Sequence, residues 1–214
     1  PLVLAGEPLY RLAILSGAGG SYIENILWKR KPLEVLPLAE SLLQYPADSH
    51  LHPSEPALTL VQWAAEPSDP PVYAHRIVHE PAAGAAPRHV LMEQGIVDTY
   101  ILPPIANTTA LSLGLDLASP AYDETDPRLA AFVPLRALMP EGTTQLTPPV
   151  TGNRGAHTAV VVQAPGDELE DGHEAMFQTP GPKHQYRCFL ATLIAAGTPT
   201  LVAPGGEWDA CGGE

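Results

Sequence analysis

The chain has 214 residues, of which 24 are acidic and 11 are basic, so its formal net charge is −13. This charge argues against nucleic acids and anionic membrane surfaces as partners, because few basic side chains are present to neutralise phosphates. Apolar residues make up 45% of the chain, which is enough for a sizeable core. The 25 prolines and 18 glycines predict many loops and short elements, and no apolar run is long enough to predict a membrane-spanning helix.

Three short apolar runs are typical of buried strands, because each is followed by turn-forming residues. Residues 9–16 end at a glycine-rich stretch, residues 88–94 end at Gly95, and residues 157–163 centre on three consecutive valines. These runs predict three strands distributed along the chain.

Helices are predicted between these strands and after the last one. Pro37 and Pro103 each open a helix, and Asp69 followed by Pro70 is a typical cap and first-turn pair. Residues 120–156 are rich in Pro, Thr, Gly and Asn and predict an irregular excursion. An apolar stripe with helical spacing predicts a final helix that packs on the sheet, and it consists of Tyr186, Phe189, Leu190, Leu193 and Ile194.

Strands that alternate with helices predict an α/β fold with a mostly parallel sheet. Ligands of such sheets bind beyond the carboxyl ends of the strands. Candidate functional residues should therefore follow Ser16, Gln94 and Gln163, which are the last residues of the three predicted strands.

Two of these strand ends carry residues suited to acid–base chemistry. The second strand is followed by Gly95-Ile96-Val97-Asp98, which places a carboxylate on a loop at the edge of the sheet. The third strand is followed by a polar loop that leads to Gly172-His173, just before the final helix. An imidazole in that position is well placed to act as a general base.

This arrangement resembles the C-terminal half of an α/β-hydrolase. In that family the nucleophile, the acid and the histidine follow one another in that chain order. The acid lies after a late strand in a Gly-x-x-Asp context, and the histidine follows the last strand. Asp98 and His173 match these positions, and the order of elements agrees over essentially the whole chain. Each short pattern is weak alone, but the two together at these strand ends are more specific.

The resemblance implies a serine hydrolase that acts on carboxylic esters of small molecules or lipids and uses no cofactor and no metal. His173 would take the proton of the serine and return it to the leaving group. Asp98 would hold the tautomer of His173 and stabilise the imidazolium. The resemblance also implies a partial α/β-hydrolase core formed by residues 1–20 and 87–214, with a helical cap-like insertion at residues 21–86.

One feature of the family is missing. The nucleophile motif Gly-x-Ser-x-Gly does not occur in these 214 residues, and Ser16 does not fit it because Ile14 stands where the first glycine should be. The resemblance places the serine upstream of Pro1, on an N-terminal segment or chain. We therefore expect a fragment that is inactive alone. The alternative is a non-catalytic α/β-hydrolase-like protein with a binding or structural role.

Other polar residues have simpler interpretations. His75 and His79 have a spacing that suits zinc, but the glutamate of a metalloprotease is absent, which favours a pair on a helix surface. The less favoured candidates for the acid are Asp116, Asp123 and Asp126.

The acidic loop after the third strand is most simply a solvated loop, and its acids are Asp167, Glu168, Glu170 and Asp171. Cys188 and Cys211 could form a single disulfide bond, but the sequence leaves this open.

Overall fold

A parallel sheet of four strands forms the centre of the fold in a computed structural model that describes residues 1–166 and 171–212. In these ranges the strands are β1 (Leu12–Ser16), β2 (His89–Gly95), β3 (Asp116–Leu117), β4 (Val150–Thr151), β5 (Ala159–Ala164) and β6 (Thr200–Leu201). The central sheet has the order β1-β2-β5-β3, and β4 and β6 form a separate antiparallel pair. The predicted α/β class with a mostly parallel sheet is confirmed.

The helices of the described residues are α1 (Leu2–Gly6), α2 (Tyr22–Trp28), α3 (Val35–Leu42), α4 (Pro56–Ala65), α5 (Pro70–Val78), α6 (Pro103–Leu113), α7 (Tyr122–Thr125), α8 (Leu135–Leu138), α9 (Ala175–Gln178) and α10 (Pro180–Ala196). Short 3₁₀ turns cover Glu66–Ser68, Pro127–Leu129 and Gly172–Glu174. Proline is the first residue of α4, α5, α6 and α10, a position where no amide hydrogen is needed. None of these helices is both long enough and apolar enough to cross a membrane.

The three predicted strands all occur, although β1 begins three residues later than the apolar run that predicted it. Leu9 and Tyr10 precede β1 and are exposed. Strand β3 is missing from the sequence prediction, because two residues are too few to produce an alternating pattern.

The two faces of the sheet pack against different helices. Val90, Met92 and Val161 face a core that includes apolar side chains of α1, α5 and α6. The opposite face places Leu91 and neighbouring valines against Phe189 of α10. Both faces of the two central strands are therefore buried, which explains why β2 and β5 appear in the sequence as nearly continuous apolar runs.

Helices α2, α3 and α4 surround a smaller apolar cluster centred on Leu27, Leu51 and Leu58. Helix α5 also belongs to the predicted insertion at residues 21–86, but Ala74 and Ile77 of this helix lie in the main core. The insertion thus includes both a separate group of helices and one helix that covers the sheet. The predicted domain boundaries remain predictions.

The predicted apolar stripe of the last helix is confirmed at Tyr186 and Phe189, which pack against the core, but is wrong at Leu190 and Ile194. Ile194 is 86% exposed and Leu190 is 39% exposed, whereas His184, Gln185 and Cys188 are buried. The buried face of α10 also contacts the segment that follows β6. One such contact is the hydrogen bond from Nε2 of Gln185 to a backbone carbonyl at 3.0 Å.

Cys188 and Cys211 form a disulfide bond, which the sequence had left open. The bond attaches the segment after β6 to the buried face of α10. Lys183 of the same helix adds an ion pair with Glu207 at 3.1 Å. Disulfide bonds of this kind are typical of proteins that fold in oxidising compartments.

Candidate active site

Asp98 and His173, the predicted acid and base, are hydrogen-bonded to each other. Oδ2 of Asp98 lies 2.9 Å from Nδ1 of His173. The carboxylate is 4% exposed and the imidazole is 32% exposed. A buried carboxylate that holds a partly exposed imidazole is the arrangement in which the acid orients the base and the base reaches its substrate. The predicted approach of the two side chains therefore occurs, and their catalytic roles remain predictions.

The sheet brings the two residues to the same edge. Strands β2 and β5 are parallel neighbours, and Gly95 at the end of β2 is paired with Ala164 at the end of β5. The ladder continues for one more hydrogen bond, from the amide of Ile96 to the carbonyl of Ala164 at 2.8 Å. The loops that carry the acid and the base thus leave from adjacent positions.

Two glycines allow these loops to touch backbone to backbone. A Cβ atom added to Gly95 would lie 1.7 Å from the carbonyl oxygen of Gly172. A Cβ atom added to Gly172 would lie 2.4 Å from the carbonyl oxygen of Ile96. The amide of Gly172 also donates to the carbonyl of Val97 at 3.3 Å. Only residues without a side chain permit this approach, which is the physical reason for glycine in both short motifs.

The loop between β2 and α6, called the acid loop below, fixes the carboxylate of Asp98 through a strained turn. Val97 has a φ of +64°, a conformation that is unfavourable for a β-branched residue. Oδ1 of Asp98 then accepts hydrogen bonds from the amides of Tyr100 at 2.7 Å and Ile101 at 2.8 Å. Because both amides bind Oδ1, the other oxygen is left to bind His173.

Asp171 fixes the loop that carries His173, called the base loop below. The prediction that Asp171 belongs to a solvated loop is wrong. This residue is 7% exposed, and Oδ1 accepts hydrogen bonds from the amides of His173 at 3.1 Å and Thr99 at 2.9 Å. Burial alone would raise the pKa of Asp171, but hydrogen bonds from Thr99, His173 and Lys31 outweigh it and lower the pKa below its usual value. The other acids of the predicted loop, at 167–170, lie outside the described residues.

The sequence contained a signal for this role of Asp171. An aspartate two residues before the histidine is a common cap of a helical turn, and Asp171 caps the turn at Gly172–Glu174. The neighbouring acidic residues concealed this pattern, because the whole stretch looked like one charged loop.

The imidazole of His173 lies between an aromatic ring and a glycine. The ring of Tyr100 stacks on it with a centroid distance of 4.6 Å and an interplanar angle of 29°. On the side of β1, a Cβ atom added to Gly17 would lie 2.5 Å from Cε1 of the imidazole, and Gly17 has a φ of +55°. Among the described residues, no side chain is hydrogen-bonded to Nε2 of His173.

Ser16 ends β1 beside this site, and it is not hydrogen-bonded to the base among the described residues. The hydrogen bonds of the described residues include none between Ser16 and His173, and Ser16 is paired in register with Glu93 of β2. Ser16 is followed by Gly17, which has a φ of +55° and ends the strand in a bend.

Glu93 is a buried acid that the sequence analysis missed. It is 2% exposed, and neither carboxylate oxygen has a hydrogen-bond partner among the described residues. Burial raises the pKa of Glu93 to about 8. Together with Gly17, Gly95 and Asp98, it lines a cavity of about 10 Å³, which is roughly the space for one water molecule. A charged residue within the apolar run 88–94 was the available signal.

The less favoured acid candidates are Asp116, Asp123 and Asp126, and each has a different partner. Asp116 forms an ion pair with Arg154 at 2.8 Å, and Asp126 forms one with Arg128 at 2.6 Å. Oδ2 of Asp123 accepts a hydrogen bond from a backbone amide at 2.7 Å. None of the three is brought to a histidine in the described part of the chain.

His75 lies near the end of α5, and His79 is the residue that follows the helix. The described residues contain no group of three or more His, Cys, Asp or Glu side chains arranged to hold a metal ion.

Comparison with known proteins adds no assignment. No protein-family model, no curated protein and no solved structure matches the chain.

The contact between the two loops can be tested with Gly95→Ala. The added methyl group would overlap the backbone of Gly172, so the loops must separate. We expect the free energy of unfolding to fall by about 1–3 kcal/mol, as for other overpacked sites, and the bond between Asp98 and His173 to be lost. Urea unfolding measures the first effect. Gly6→Ala is the matched control, because nothing lies within 4 Å of a Cβ atom there. Equal stability of the two variants would contradict the account.

The burial of Glu93 should make stability depend on pH. In the unfolded chain the carboxyl ionises near its ordinary pKa of 4.5, whereas in the folded protein it stays protonated up to about pH 8. Folding therefore binds a proton at this carboxyl between these values, so Glu93 alone contributes a loss of about 1.4 kcal/mol of stability per pH unit across this range.

We expect Glu93→Gln to remove this dependence, so that its advantage over the wild type grows from pH 5 to pH 8. Urea unfolding at several pH values measures the difference between the two proteins. Glu80→Gln, at an exposed residue, should leave the wild-type dependence unchanged. Parallel pH curves for the wild type and Glu93→Gln would show that the carboxyl is ionised in the folded state.

Proposed function

We propose that this chain provides the acid and the base of a serine hydrolase of the α/β-hydrolase type that cleaves carboxylic esters. The observation that carries the proposal is the hydrogen bond between Asp98 and His173 at the carboxyl ends of adjacent parallel strands. This is the place where α/β sheets bind ligands. The order of the two residues in the chain is that of the acid and the histidine in this family.

The proton transfers follow from the geometry of the pair. If the carboxylate of Asp98 accepts a hydrogen from Nδ1, the lone pair of the neutral imidazole is on Nε2, and the proposed mechanism uses this tautomer. Nε2 takes the proton of a serine hydroxyl while the serine oxygen forms a bond to the ester carbon. The same proton then passes to the alcohol oxygen as the ester bond breaks. In the second half of the reaction His173 takes a proton from water while the water oxygen bonds to the acyl carbon, and the same proton then passes to the serine oxygen as its bond to the acyl group breaks.

The free edge of the sheet at β1 favours a nucleophile that lies outside the 214 residues. Strand β1 is paired with β2 on one side, and no described strand is paired with its other side. A further parallel strand beside β1 would end next to Gly17, against which the partly exposed imidazole of His173 packs. We propose that a segment or chain N-terminal to Pro1 provides this strand and the serine.

A neighbouring cavity suits the apolar part of an ester substrate. It has a volume of about 280 Å³ and opens at the carboxyl ends of β3 and β5. Its walls are mostly apolar, and five of the lining residues are prolines: Pro120, Pro148, Pro165, Pro182 and Pro204. Gln163 lines both this cavity and the small cavity beside Asp98. A short acyl chain or a ring is of suitable size.

A non-catalytic role is the second candidate, and a specific observation favours it. No hydroxyl or thiol of the described residues binds Nε2 of His173, although an active hydrolase needs such a group within reach. If no serine follows a strand beside β1 in the longer protein, the chain is a binding or structural protein with the same loops.

Kinetics of the protein together with the proposed N-terminal segment or chain, called the longer protein below, distinguish these functions. We expect it to hydrolyse a short-chain nitrophenyl ester, and we expect His173→Ala to lower kcat by several orders of magnitude. Asp98→Asn should cost up to about 10⁴-fold, because it removes the control of the tautomer. Ser16→Ala and His79→Ala are the controls and should retain nearly full activity. Full activity of His173→Ala would refute the proposal, and inactivity of Ser16→Ala would identify Ser16 as the nucleophile.

A further inference from the structure

Lys31 connects the predicted insertion to both loops of the candidate active site. It follows α2, and its amide donates to the carbonyl of Thr99 on the acid loop at 3.1 Å. Its Nζ lies 3.1 Å from Oδ2 of Asp171 on the base loop. The same ammonium group lies 5.8 Å from the ring centre of Tyr100, within the range of a cation–π contact.

The partners of Lys31 are the residues that hold His173. Asp171 accepts the hydrogen bond from the amide of His173 and thereby starts the helical turn that carries the imidazole. Tyr100 covers one face of the imidazole. The hydroxyl of Thr99 also donates to Oδ2 of Asp171. Through these contacts the side chain of Lys31 interacts with both the carboxylate of Asp171 and the ring of Tyr100. The first binds the amide of His173, and the second stacks on its imidazole.

We propose that Lys31 is a positioning residue through which the insertion sets the orientation of His173. The proposal deepens the proposed function and rests on it for the role of His173 as a base. The contacts of Lys31 described above are with Asp171, Thr99 and Tyr100. Lys31 holds the carboxylate of Asp171 and the ring of Tyr100 in place, and they hold the imidazole against Asp98.

Because Asp171 is buried, loss of its ion pair with Lys31 should disturb the local structure. The carboxylate side chain is 6% exposed, whereas the side chain of Lys31 is 44% exposed. An ion pair with one exposed partner contributes little to overall stability. However, removal of the lysine would leave a buried carboxylate with one fewer donor, which is unfavourable. The turn at Gly172–Glu174 should then loosen, while the rest of the fold remains intact.

The tautomer of His173 reports its orientation directly, and it can be measured in the 214-residue protein without any activity. Long-range proton–nitrogen correlation spectra show which ring nitrogen carries the hydrogen. In the wild type, the bond to Asp98 should hold the hydrogen on Nδ1, and Asp98→Asn identifies the signals that depend on this bond. Lys31→Met should lower the fraction of the Nδ1–H tautomer by about twofold or more, because the partner of one ring nitrogen decides the tautomer.

The single variant Lys31→Arg should keep the wild-type tautomer, because arginine can reach the carboxylate of Asp171. The matched control is Lys183→Met, which removes an ion pair of the same 3.1 Å length away from the site and should change nothing. Asp171→Asn should reproduce the effect of Lys31→Met, and it replaces that variant if circular dichroism shows Lys31→Met to be unfolded. An unchanged tautomer in folded Lys31→Met or Asp171→Asn, or an equal change in Lys183→Met, would overturn the proposal.

Kinetics separate this proposal from the proposed function. In the longer protein, Lys31→Met should lower kcat by about 10- to 100-fold, as expected of a misplaced catalytic group, and leave KM nearly unchanged. If the longer protein hydrolyses no ester but the tautomer still responds to Lys31→Met, the proposed function fails and the positioning role remains. If the protein is active and neither the tautomer nor kcat responds, the positioning role fails alone.

Discussion

The arrangement of the site depends on the backbone contact between Gly95 and Gly172. The two loops leave adjacent parallel strands, and they can carry side chains to a common point only if their backbones come within van der Waals distance. Glycine at both positions makes this possible and brings Asp98 to His173 at 2.9 Å. The parallel strands bring both loops to the same edge of the sheet, and the two glycines allow the loop backbones to approach each other closely. A side chain at either glycine position would therefore separate Asp98 from His173.

Several features of this region are locally unfavourable, and the surrounding structure compensates for them. Val97 adopts a conformation that β-branched residues avoid, and Glu93 is buried without a hydrogen-bond partner among the described residues. Such costs are tolerated where the rest of the fold determines the conformation, and they concentrate at functional sites. Here the surrounding structure consists of two central strands covered by helices on both faces. The concentration of strain, burial and paired charges at one edge of the sheet agrees with the proposed function.

The sequence predicted the parts of this fold that depend on local patterns. Apolar runs located three of the four strands of the central sheet, and the positions of Asp98 and His173 after two of them located the candidate pair. The two-residue strand β3 has no detectable pattern. The inner face of α10 was predicted only in part: Phe189 faces the core as its spacing predicts, but Ile194 is exposed, and the buried Cys188 is bonded to Cys211 of the distant C-terminal segment. The ion pair of Lys31 with Asp171 joins residues far apart in the chain, and no local signal reveals it.

The central claim is that His173 acts as the base for a serine beside β1. The most direct test is a crystal structure of the longer protein after reaction with a nitrophenyl phosphonate ester, which labels an activated serine covalently. The account predicts a phosphonylated serine at the end of a strand paired with β1, with its oxygen about 3 Å from Nε2 of His173. A label on Ser16, a label remote from His173, or an unreacted protein in which another group binds Nε2 would contradict it.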